Sequence, residues 1–120
     1  MLPQRRKRES MGVKTPEREF PGHRAFVRSF GCSVPGCDRL PIEFAHVRKG
    51  LPAGEAGGTA MKPHDKWGIS LCGGPAGHHN EQHTLGETTF AAKYGLDLVA
   101  LAQEFQRRSP HRHRWMEATE

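Results

Sequence analysis

The chain has 120 residues and a formal net charge of +5; 35% of it is hydrophobic and 14 residues are glycine. That is one small domain with too little apolar material for a core of ordinary size, so a metal staple is an expected remedy. An odd cysteine count of three argues against a disulfide framework, and no run of about 18 apolar residues is available to span a membrane.

The opening MLPQRRKRES is basic with no apolar run behind it, so no signal peptide is expected and a reducing, cytoplasmic setting is. Residues 1–30 carry eight Lys and Arg against three acids, whereas the rest carries ten of each. A basic arm ahead of a neutral body suits a polyanionic partner, nucleic acid first, or else a solvated leader. Residues 1–22, with prolines at 3, 16 and 21, read as that flexible arm, residues 23–106 as the folded domain and 107–120 as a basic tail.

In chain order, HRAFVRSFGC (23–32) reads as a short strand or a turn of helix. CSVPGC then turns tightly at Pro35 and Gly36, which can aim Cys32 and Cys37 at one point. PIEFAHVRKG alternates Ile42, Phe44 and His46 against Glu43, Ala45 and Val47, a strand with His46 near its end. A glycine-rich loop follows, and KWGISLC alternates Trp67, Ile69 and Leu71 into Cys72, so the two strands form an expected hairpin. HHNEQH begins a helix, GETTFAAKYG is a second closed by Gly95, and Leu98, Leu101, Ala102 and Phe105 mark the core-facing side of a third that Pro110 ends.

Cys32 and Cys37 have four residues between them, and Cys72 and His78 have five, each pair on its own turn. Together they make a Cys3His set for a structural zinc ion, closed to substrate; His79 is the alternative fourth ligand. If His78 serves there, His79 and His83 remain. At that spacing on a helix two imidazoles emerge one turn apart on one face and can share an ion.

Strand with histidine, glycine loop, second strand ending in SLC and then HHNEQH on a helix resembles an HNH endonuclease, the ββα-metal fold. IEFAHVRKG, MKPHDKWGISLC, HHNEQHTLGETTF and KYG are similar to the phage and prophage branch that contains the RecA-dependent, recombination-enhancing nucleases, over about residues 30–95. The resemblance implies a small α+β, zinc-stapled fold. It makes His46 the general base, places Asp65 in the middle position that orients the base or braces the loop, and assigns His79 and His83 to the catalytic divalent ion. That ion would be magnesium or manganese, with zinc a further candidate. Position 45 is alanine, which cannot coordinate, so the third protein ligand is sought among Glu43, His64 and Asp65.

The expected activity is hydrolysis of phosphodiester bonds in single- or double-stranded DNA, with a recombinase filament as a partner implied by the resemblance. Arg5, Arg6, Lys7 and Arg8 of the arm, with Arg48, Lys49, Lys62 and Lys66 near the loop, are the candidate phosphate contacts. The rival readings are a zinc-stapled nucleic-acid-binding module that cuts nothing and an RNA nuclease of the same fold. A zinc hydrolase of small substrates is disfavoured, because HExxH is absent.

Overall fold

The structure, a computed structural model, describes residues 18–55 and 63–116. Arg5, Arg6, Lys7, Arg8 and Lys62 lie outside the described residues. Helix α1 (Pro21–Arg28) is followed by strands β1 (Ile42–His46) and β2 (Gly68–Cys72), then by α2 (His78–Leu85), α3 (Glu87–Tyr94), α4 (Leu98–Arg108) and a single closing turn, α5 (His113–Met116). Among the described residues no helix is long and apolar enough to cross a membrane.

The expected hairpin is present. β1 and β2 pair antiparallel with Ile42 opposite Cys72 and His46 opposite Gly68. A lone two-stranded ribbon is marginal in water, so its stability comes from what covers it: α1 packs on both strands and α4 on β2. Every residue of β2 is buried. Along β1 and the residue after it burial is one-sided, with Ala45 and Val47 in the core while Phe44 and His46 are only half-buried. The hydrophobic cluster joins Ala45 and Val47 to Val34, Trp67, Ile69, Leu71, Phe90, Leu98 and Ala102.

Two glycines shape the hairpin. The Phe44 ring lies against Gly68, where a Cβ would come within 2.0 Å of its Cζ, and Gly73 leaves room for Glu43, whose Oε2 would be 2.2 Å from a Cβ. Gly95 ends α3 in the left-handed region at φ 67°, as its place in the sequence predicts. Asp97 caps α4 by accepting a hydrogen bond from the Ala100 amide at 3.0 Å.

The ends of the domain differ from the sequence reading. HRAFVRSFGC contributes helix, and that helix begins at Pro21, whose fixed φ suits the first helical position. Residues 18–22, assigned to the arm, belong to the body: Phe20 is 7% exposed, and the Asp65 amide donates to the Arg18 carbonyl at 2.9 Å. The segment 107–116, assigned to the tail, is anchored to the body at Ser109 and Trp115. Arg107 and Arg108 complete α4, Ser109 is buried, and Trp115 is 6% exposed, lying edge-on to Phe20 and His23 at 5.2 and 4.9 Å between ring centroids. Burying two large aromatic rings outweighs the polar character of the segments that carry them.

Candidate functional site

Cys32, Cys37, Cys72 and His78 converge. Their ligand atoms all lie within 4.8 Å of one another. Each pair arrives on a turn that needs glycine. Gly36 adopts φ 80° so that the Cys37 amide can donate to the Val34 carbonyl. Gly74 adopts φ 92°, and Gly77 tolerates an approach in which a Cβ would sit 2.2 Å from the Gly73 carbonyl oxygen. The second turn aims the His78 amide at Cys72 Sγ, 3.2 Å away, and delivers His78 as the first residue of α2.

The spacing of these atoms fits a tetrahedral ion. Zn–S and Zn–N bonds of about 2.3 and 2.0 Å put sulfurs about 3.8 Å apart and a sulfur about 3.6 Å from a nitrogen. The observed separations are 3.9 Å from Cys37 Sγ to Cys72 Sγ, 3.5 Å from Cys32 Sγ to His78 Nδ1 and 3.3 Å from Cys72 Sγ to His78 Nδ1. Burial pushes the Cys32 thiol up to about 11, so a thiolate there at neutral pH calls for a cation beside it. The four residues could therefore hold a metal such as zinc. His78, rather than His79, supplies the nitrogen of this cluster, and its ring is steadied by Tyr94 at 5.1 Å and Phe90 at 6.3 Å.

A second constellation lies alongside α2, which also carries His79 and His83. His46 Nε2 donates to Asp65 Oδ1 at 2.9 Å. Since a carboxylate only accepts, Nδ1 is left as the nitrogen with a lone pair. Asp65 is 1% exposed. Its Oδ2 accepts from the Phe20 amide at 2.8 Å and from the Arg24 guanidinium. Burial works against the charge on Asp65, but the hydrogen bonds from His46 and the Phe20 amide, with the field of Arg24, hold its carboxyl below the usual range. Asp65 is thus a fixed anion that locks the orientation and tautomer of His46.

His46 lines a groove of about 390 Å³ together with His79, His83, Phe44, Arg48 and Lys49. The two α2 imidazoles are one turn apart, 5.0 Å between ring centroids. His79 Nδ1 donates to Glu43 Oε1 at 2.7 Å, which leaves Nε2 as the nitrogen with a lone pair; carboxylates orient metal-binding histidines in the same way. Among the described residues only the Cys3His group closes to metal-holding compactness.

The three candidates for a further ligand separate cleanly. Glu43 is at His79. Asp65 is committed to His46 and Arg24. His64 is a correction: it belongs to the aromatic packing, stacked on Phe20 at 4.9 Å, with Nδ1 accepting from the Lys66 amide at 2.9 Å. The ammonium of Lys66 pairs with Glu55 at 3.3 Å and lies over the Trp67 ring.

Sequence reasoning missed Arg24, Arg28 and the Phe20 amide. Arg24 and Arg28 are spaced i,i+4 on α1 and border a second groove beside His46. A helix through residues 24–28 puts both on one face, which the strand-or-helix reading of this segment left open. Glu87 was missed too: its carboxylate accepts from the Arg48 and Lys49 amides at 2.9 to 3.1 Å and so fixes the chain leaving β1. Comparison with protein-family models, with curated proteins and with solved structures finds no match.

Proposed function

We propose that the chain is a metal-dependent endonuclease of the ββα-metal kind, hydrolysing phosphodiester bonds in DNA. The observation that carries this reading is that His46, held from behind by Asp65, lines one groove together with the His79–His83 pair, Arg48 and Lys49.

His46, with Nε2 tied to Asp65, accepts a proton from an attacking water at Nδ1, and the Asp65 carboxylate stabilises the imidazolium that results. Arg48 and Lys49 bind phosphates flanking the one attacked. His79 and His83 would hold the divalent ion, with Glu43 orienting His79. That ion, magnesium or manganese with zinc a further candidate, supplies neutralisation of a phosphate oxygen and stabilisation of the departing alkoxide. Cys32, Cys37, Cys72 and His78 keep α2 fixed against β2, which maintains the width of the groove. The resemblance extends the proposal to phage or prophage recombination with a recombinase filament as partner.

A second reading, a zinc-stapled nucleic-acid-binding module, is favoured by Ala45, which offers no ligand beside His46, and by the looser spacing of the His79 side. Zinc-replete protein titrated with magnesium, manganese and zinc against plasmid, single-stranded DNA and RNA separates the readings. Ion-dependent DNA cleavage supports the nuclease, preferential RNA cleavage moves the substrate to RNA, and binding without turnover under every ion supports the module.

A further inference from the structure

His46 and Phe44 stand between two grooves. On one side lies the groove with Arg48, Lys49, His79 and His83. On the other is a second, of about 410 Å³, edged by Arg24 and Arg28 of α1. Both are lined by Phe44 and His46, which therefore form the ridge dividing them.

The two sides are not equivalent in their charges. Arg24 is committed to Asp65, whereas Arg28 is exposed at the last turn of α1 and forms no ion pair among the described residues. Of the acidic residues of the second groove, Glu43 accepts a hydrogen bond from His79, and Glu19 also interacts within the protein. Arg28 is the cation left to meet a ligand there, and it lies across the ridge from Arg48 and Lys49.

Phe44 is an unusual residue for such a ridge. Its side chain is half-buried, with the far edge of the ring against Gly68 and the ring set edge-on to His46 at 5.0 Å, and it lines both grooves. A flat apolar ring flanked by cations is the arrangement that binds nucleic acid by stacking one base while charges track the backbone. Bases inside a duplex are already stacked on one another and offer no face to such a ring; an unpaired base does.

We propose that the substrate strand is unpaired where it crosses this ridge, with one base stacked on Phe44, the phosphate on one side held by Arg28 and that on the other by Arg48 and Lys49. The proposal rests on the nuclease reading and adds the form of the substrate and the side of the protein on which it continues.

The test is binding of a fluorescent single-stranded oligonucleotide and its matched duplex, by anisotropy, to zinc-loaded protein without added magnesium or manganese. The single strand should bind more tightly. Phe44→Leu should weaken it about tenfold with little effect on the duplex, and Phe44→Tyr should restore it. Arg28→Gln, on an exposed helical position that leaves the fold intact, should weaken binding and lower the salt slope by about 0.7. Equal or tighter binding of the duplex, or wild-type affinity in both Phe44→Leu and Arg28→Gln, overturns the proposal. If cleavage still depends on His46 in that case, the nuclease reading stands without this path; if neither nucleic acid is bound or cut, both fall.

Discussion

His46 Nε2 lies 2.9 Å from an Asp65 carboxylate that also takes the Phe20 amide and the Arg24 guanidinium. One histidine of the hairpin is thereby held by a loop residue that is itself held by the segment preceding β1. Removing the imidazole and loosening it should give different losses. His46→Ala is expected to lower cleavage by about 10² to 10⁴-fold, the usual contribution of a general base. Asp65→Asn should cost less in rate but also lower the melting temperature, because Arg24 loses its anionic partner in a buried setting. Rate constants and thermal melts of the two variants check this.

The Cys3His group predicts one tightly held zinc per chain, measurable by elemental analysis. Structural zinc in small domains is worth about 10–16 kcal/mol of apparent binding energy at neutral pH, so strong chelation should unfold the protein. Cys72→Ser should lose the metal and the cooperative melt together, whereas His79→Ala should keep both, since His79 lies outside that set. Circular dichroism with and without chelator distinguishes the two variants.

Burial pushes His23 and His64 down to about 4. Unfolded, both take a proton near 6.5, so between about pH 6.5 and 4 the unfolded chain binds more protons than the folded one, and these groups make stability fall as the pH is lowered through that window. The ring resonances of His23 and His64 should accordingly stay in their neutral form down to about pH 4 in the folded protein. Titration of either near 6.5 would contradict the packing described around it.

Trp115 closes the domain over Phe20, His23 and His64. Trp115→Ala should cost about 3–5 kcal/mol, typical for deleting a buried aromatic ring. Because Phe20 beneath it donates its amide to Asp65, the variant should also weaken the hold on His46. Denaturant unfolding measures the first effect, and the temperature dependence of cleavage the second.

Local signals carried much of the architecture. The alternation of Trp67, Ile69 and Leu71 marks β2, the i,i+3/i+4 spacing of Leu98, Leu101, Ala102 and Phe105 marks α4, and Gly95 marks the end of α3. The four metal-ligand candidates were also legible, because turns rich in glycine and proline hold each pair. What escaped was non-local. Phe20 and Trp115 sit in polar, proline-punctuated segments with no periodicity of their own, and only their meeting in space shows that both belong to the core. The alternation in β1 did not reveal which side faces inward, since small Ala45 and Val47 fill the core while the larger Phe44 borders the grooves. Arg24 was one arginine among many until the fold set it against Asp65.

The most direct test of the account is single-turnover cleavage of DNA by zinc-replete wild-type protein and His46→Ala, each with saturating magnesium or manganese and with binding measured in parallel. The account predicts ion-dependent cleavage by the wild type and a loss of about 10² to 10⁴-fold in the variant at unchanged affinity. Cleavage by His46→Ala at the wild-type rate, or DNA bound by the wild type and left intact with either ion, would contradict it.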